Sequence, residues 1–182
     1  MNYQNKYLKK KCKHCYALEI CKNIIKNIDN NKDNKILVLG VALGSIIIHL
    51  ANSLQKAEIH GVDITDEYFN IVRENLPKDR RVTLIKDDAK LFLDIYTDTY
   101  NIIISDIFNL FSVPDFIMLY DFLNKIYQKL TANEKFLINT IKIDKNILNT
   151  KFINAFPNCF ISIKSENQNN FFMANLITII QK

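Results

Sequence analysis

The chain has 182 residues, 48% hydrophobic and 24% charged, which fits one soluble globular domain with a full core. No apolar run reaches the roughly 18 residues of a membrane span, and the lysine-rich residues 1–15 do not read as a signal peptide. Four cysteines at irregular spacing set a reduced, cytoplasmic expectation. The net charge of +5 is unevenly placed: residues 1–35 hold nine lysines against three acids, so the remainder is close to neutral. A broad phosphate-binding surface is therefore expected nowhere but in the N-terminal arm.

In chain order, residues 1–15 read as a basic arm. The helical spacing of Ala17, Leu18, Cys21, Ile24, Ile25 and Ile28 predicts a helix over 16–28. A polar linker follows, so residues 1–34 form an arm and helix ahead of a domain at 35–182. Residues 36–39 predict a first strand, followed by a glycine turn and a helix over 45–54. Residues 57–63 predict a second strand, and 66–75 a helix opened by Asp66 and stopped before Pro77. Residues 81–86 are a third strand, 89–95 a short helix with Asp88 as N-cap, and 101–106 a fourth strand. Residues 114–130 predict one long helix with Phe116, Leu119, Tyr120, Leu123, Ile126, Tyr127 and Leu130 on one face. A fifth strand at 135–140 and a helix at 144–156 follow. Residues 159–164 and 171–180 then read as two strands of a hairpin, with no helix between them. Five βα repeats closed by an antiparallel pair predict a seven-stranded, Rossmann-like α/β sheet with helices on both faces.

Two of the chain's three glycines, Gly40 and Gly44, fall in the single turn after the first strand. Glycine there serves a positive φ or a close approach to the main chain. A buried strand, a glycine turn and a helix make a nucleotide-binding crevice. In open parallel sheets ligands bind beyond the carboxyl ends of the strands. Those ends carry Asp63 after the second strand, Asp87 and Asp88 after the third, and Asp106 and Asn109 after the fourth. Each Asp alone reads as a helix cap or solvated turn, but acids at successive strand ends favour a ligand. Such acids suit ribose hydroxyls, an adenine amino group and a reacting end, in that order. Ala42 and Ser45 stand where a dinucleotide fingerprint needs glycine, and no Gly-Lys-Ser/Thr phosphate cradle is present.

Gly40-x-Ala42-x-Gly44 resembles the Gly-x-Gly-x-Gly turn of class I S-adenosylmethionine-dependent methyltransferase-fold enzymes, with alanine at the middle glycine. Within that class, Ile36-Leu37-Val38-Leu39-Gly40, Val62-Asp63-Ile64-Thr65, Asp79-Arg80-Arg81-Val82, Asp87-Asp88-Ala89-Lys90-Leu91-Phe92-Leu93 and Ile102-Ile103-Ile104-Ser105-Asp106 are similar to the spermidine-synthase-like branch. Leu119-Tyr120-Asp121-Phe122-Leu123 resembles that branch's next helix, and residues 129–134 its Lys-Pro-Gly-Gly turn. The resemblance covers about residues 35–140. It implies S-adenosylmethionine, or its decarboxylated form, as cofactor. Gly40, Ala42 and Gly44 would cradle it, Asp63 and Ile64 would hold the ribose, and Asp88 and Ala89 the adenine. Asp106 would be the catalytic acid or base, and Asn109 would lie on the substrate side.

The departures point away from polyamine chemistry. Leu43 and Asn109 stand where aminopropyltransferases keep acids, and residues 1–34 leave no room for their N-terminal β domain. A cationic diamine needs converging carboxylates. Leu43-Gly44-Ser45-Ile46 and Asp106-Ile107-Phe108 are closer to the branch's methyltransferase-like members. The resemblance therefore implies a methyltransferase with a small-molecule acceptor first, an aminopropyltransferase of polyamine (spermidine) biosynthesis second, and a catalytically silent nucleoside-binding module third.

Other signals carry less. Cys12, His14, Cys15 and Cys21 lack the second half of a tetrahedral set, so no metal is expected. His49 reads as a packed or rim histidine and His60 as structural. Nucleic acid is not expected beyond the basic arm, which reads as solvated, and no membrane partner is expected. A homodimer is left open.

Overall fold

Ile36, Leu37, Val38 and Leu39 are all fully buried, so the first strand has apolar neighbours on both faces. This continuous apolar run, without alternation, makes it the centre of a covered parallel sheet. The computed structural model describes residues 21–22, 32–78, 81–109, 112–141, 145–156, 159–166 and 175–182. The predicted arm, most of the N-terminal helix, Asp79 and Arg80 lie outside the described residues.

The elements run β1 (Lys35–Leu39), α1 (Ser45–Ser53), β2 (Glu58–Asp63), α2 (Phe69–Asn75), β3 (Arg81–Lys86), α3 (Ala89–Ile95) and β4 (Tyr100–Ser105). A 3-10 turn (Asp115–Met118) leads into α4 (Tyr120–Lys129), followed by β5 (Leu130–Ile141), α5 (Lys145–Ala155), β6 (Phe160–Glu166) and β7 (Asn175–Gln181). The strands form one seven-stranded sheet in the order β3-β2-β1-β4-β5-β7-β6. β1 to β5 are parallel, and β7 runs antiparallel between β5 and β6. The strand order reverses between β1 and β4, which opens a crevice at their carboxyl ends.

Side-chain alternation divides the core. Ile36, Val38, Ile104 and Leu137 pack with Ile47 and Leu50 of α1 and Phe69 and Val72 of α2. Cys21 joins this layer, placing part of the predicted N-terminal helix against α1. Leu37, Leu39, Ile103 and Phe136 pack on the other face with Phe92 of α3, Leu123 of α4 and Phe152 of α5. The expected seven-stranded sheet, its antiparallel pair and its two helical layers are all present.

Three local expectations fail. The helix predicted over 114–130 is broken at Leu119, whose ψ of 144° is extended. A 3-10 turn shares its i,i+3 spacing with an α-helix, so apolar periodicity cannot separate them. The break leaves Leu119 and Tyr120 exposed while Phe122, Leu123 and Ile126 face the core. Leu130 belongs to β5, pairing with Tyr100 before the register jumps to Ile102 with Lys135. The expected turn at residues 129–134 is thus the irregular start of a strand. Finally, α2 begins at Phe69, and Asp66 is not its cap. The Asp66 carboxylate instead accepts from Lys86 at 3.0 Å, which holds it below the usual carboxylate range.

His60 is structural, as expected. Its ring nitrogens meet the Tyr100 hydroxyl at 3.0 Å and Glu58 at 2.9 Å. Tyr100 is fully buried, and burial pushes its hydroxyl up from the ordinary value. This polar group lies toward the amino ends of the strands, away from the crevice. Leu123 is fully enclosed beneath α4, so Leu123→Ala should lower unfolding free energy by about 2–5 kcal/mol in urea titration at unchanged m-value.

Candidate functional site

The crevice is built on the turn that leaves β1. Gly40 has φ +90°, and a Cβ placed there would lie 2.4 Å from the main-chain oxygen of Asp106. Glycine is required both for the conformation and for the approach of the two backbones. Gly44 has φ +76°, and a Cβ would fall 2.5 Å from a Val72 methyl of α2. Between them Ala42 has φ +43°. A left-handed residue bearing a Cβ costs about 1–2 kcal/mol, so this alanine is strained.

Asp63 holds this turn in place. Its Oδ2 accepts the Val41 N–H at 2.8 Å and the Ala42 N–H at 3.0 Å. Its Oδ1 accepts the Thr65 N–H at 3.0 Å. Hydrogen bonds to a carboxylate are roughly twice as strong as neutral ones, and two of these act on the strained segment itself. Ile64 next to it is 71% exposed and Leu43 is 45% exposed, so the turn carries apolar rims.

The end of β3 is tied in by the Asp87 N–H, which donates to the Asp63 carbonyl at 2.9 Å. Asp88 is the N-cap of α3, as predicted, with Oδ1 accepting the Lys90 N–H at 2.7 Å. Its Oδ2 lies 4.0 Å from the Lys90 ammonium. Ala89, half-buried, packs against the core below.

Asp106 follows β4 directly. Its N–H donates to the Leu39 carbonyl at 2.8 Å. Its Oδ1 accepts the side-chain amide of Asn139, from β5, at 2.9 Å. Asn139 is absent from the sequence candidates. The signal for it is the polar pair Asn139-Thr140, which breaks the apolar run of β5 at its carboxyl end. Asn109 is exposed and exchanges main-chain hydrogen bonds with Ser112 at 2.8 and 3.1 Å. The structure therefore brings Gly40, Ala42, Gly44, Asp63, Ile64, Asp88, Ala89 and Asp106 to one edge, with Asn109 in the loop beyond.

Chemically, this edge offers carboxylates, a tight glycine turn and apolar rims. Such a set suits hydroxyl and amino donors and a positive charge better than a polyphosphate. Among the described residues, no group of three His, Cys, Asp or Glu is placed to hold a metal ion. Among them too, no helix is long and apolar enough to cross a membrane.

A family described as a methyltransferase domain matches residues 36–132, from β1 into β5. The chain belongs to that family. Several solved structures share the fold of this methyltransferase domain at low identity. A probable spermidine synthase from Corynebacterium glutamicum superposes with a TM-score of 0.70 at 16% identity, covering 97% of this chain and 63% of that one. The domain thus spans less than two thirds of that protein. Human methyltransferase-like protein 13, solved with S-adenosylhomocysteine, gives 0.66 at 15% identity over 87% of this chain and 77% of that one. Magnesium protoporphyrin IX methyltransferase from Synechocystis, with bound S-adenosylmethionine, gives 0.69 at 12% identity over 91% and 78%. No curated protein matches by sequence. The cofactor expectation, S-adenosylmethionine, agrees with the family and with the ligands of the latter two structures.

Gly40 and Ala42 should respond oppositely to substitution. Gly40→Ala is expected to cost about 2–3 kcal/mol, because neither its φ nor the Asp106 backbone can yield. Ala42→Gly should leave stability unchanged or raise it by up to about 1 kcal/mol. Thermal and urea unfolding of both variants check this contrast.

Proposed function

We propose that this methyltransferase domain transfers the methyl group of S-adenosylmethionine to a small-molecule acceptor, in a cytoplasmic setting. The observation that carries the reading is the Asp63-held turn with Asp106 packed directly against it. S-adenosylmethionine supplies an electrophilic methyl on a cationic sulfonium. The turn at Gly40–Gly44 would lie alongside it, and Oδ1 of Asp63 has acceptor capacity left for a ribose hydroxyl. Asp88 offers its second oxygen to the adenine amino group, with Ile64 and Leu43 as apolar flanks. Asp106 orients the acceptor or takes its proton, so that most of the rate comes from positioning in line with the sulfonium.

A second reading, aminopropyl transfer from the decarboxylated form, is favoured by the fold likeness to a probable spermidine synthase. Leu43 and the exposed, Ser112-bound Asn109 weigh against it, because they leave few carboxylates for a diamine. A catalytically silent nucleoside-binding module is the remaining alternative.

Calorimetric titration with S-adenosylmethionine, its decarboxylated form and methylthioadenosine separates these readings. The expected result is preferential binding of S-adenosylmethionine. Preference for the decarboxylated form would favour the second reading, and absence of binding to all three would sink both enzyme readings. Asp63 holds three main-chain amides as well as its proposed ribose contact, so Asp63→Ala should weaken the turn together with the nucleoside. Asp63→Asn keeps an acceptor oxygen toward the turn. Its NH2 group then faces the Thr65 N–H in place of Oδ1, so a smaller loss of stability than in Asp63→Ala is expected, with nucleoside affinity of the folded variant lowered about tenfold; unchanged affinity would refute the ribose role.

A further inference from the structure

We infer that Asn139 is a positioning residue for Asp106: its side-chain amide holds the carboxylate charged and in one orientation beside the sulfonium. The inference rests on the reading of Asp106 as the reacting-end acid. An ionised carboxylate can only accept, so the atom of Asn139 that faces it must be the amide nitrogen. The separation is 2.9 Å. Asn139 is 1% exposed, and among the described residues its own amide oxygen has no hydrogen-bond partner. A half-satisfied amide in a buried strand opposes stability, where valine or leucine would satisfy packing outright. What the amide provides is the donor to Asp106.

The register makes the pairing deliberate. Ser105 of β4 lies opposite Ile138 of β5, so the next residues, Asp106 and Asn139, are neighbours on the α1 side of the sheet. The main chain of Asp106 is already fixed on its other flank, by the Leu39 carbonyl and the close approach of Gly40. One strand thus holds the backbone of the acid and another its side chain. A donor hydrogen bond favours the charged form of a carboxylate, the form that attracts a cation or takes a proton.

The test compares affinity for S-adenosylmethionine, which carries the positive sulfonium, with that for neutral S-adenosylhomocysteine, in calorimetry on the full chain. Asp106→Asn should reduce the preference for the charged ligand about tenfold. Asn139→Leu should reduce it about three- to tenfold, with S-adenosylhomocysteine affinity within about twofold of the parent and no fall in melting temperature. If the leucine variant does not fold, Asn139→Val serves the same comparison, since β-branched residues suit a strand. If Asp106→Asn lowers the preference while the Asn139 variants do not, the inference about Asn139 is overturned and the role of Asp106 stands. Equal weakening of both ligands in the Asn139 variants would also overturn it, because that is the signature of mere structural support. If Asp106→Asn itself leaves the preference unchanged, the reading of Asp106 falls and this inference with it.

Discussion

The Asp63 carboxylate, with its three main-chain amides, is the interaction on which the crevice depends. Without it, the turn after β1 would have two free N–H groups in a segment containing a left-handed alanine. With it, the end of β2 fixes the path of the chain leaving β1, and the Asp87 N–H extends the tie to β3. Three consecutive parallel strands are therefore joined at their carboxyl ends by hydrogen bonds outside the ladder. In the proposed function this side chain, already bound to the protein by three contacts, would also meet a ribose hydroxyl. Its remaining lone pair is aimed by the same contacts that restrain it, which would pre-organise it for that role.

The fold was largely legible because its signals are strong and local. The uninterrupted apolar run of β1, the boundaries of β3 and α3, and the Asp88 cap depend on neighbouring residues, and they stand where the sequence puts them. Where tertiary geometry decides, legibility ends. Leu119 and Tyr120 share a helical spacing with buried residues, yet a 3-10 turn rotates them outward. Leu130 continues the α4 pattern, yet it pairs with Tyr100. Asp66 has the chemistry of a cap but finds Lys86 across the surface instead.

The positions of the candidate site residues were legible to the same depth. Acids at strand ends can be read in one dimension, as Asp63, Asp88 and Asp106 were. Their partners cannot, because the Asp106–Asn139 contact joins residues 33 apart in the chain and exists only through the β4–β5 register. The sign of φ at Ala42 is likewise invisible in the sequence. Its small side chain was compatible with either region, and only the folded turn shows it to be strained.

The strand order also separates the assembly of the site from the completion of the sheet. Every crevice residue comes from β1 to β5, whereas β7 inserts between β5 and β6 and pairs Phe136 with Ile180 across a long stretch of chain. During synthesis all of these residues emerge before β7 does. Until then β5 has a bare flank and β6 has no neighbour at all, an arrangement that exposes strand edges to other chains. The antiparallel closing pair thus acts less on the chemistry than on the chain's solitude: it covers the flank of β5 that would otherwise be an open strand edge.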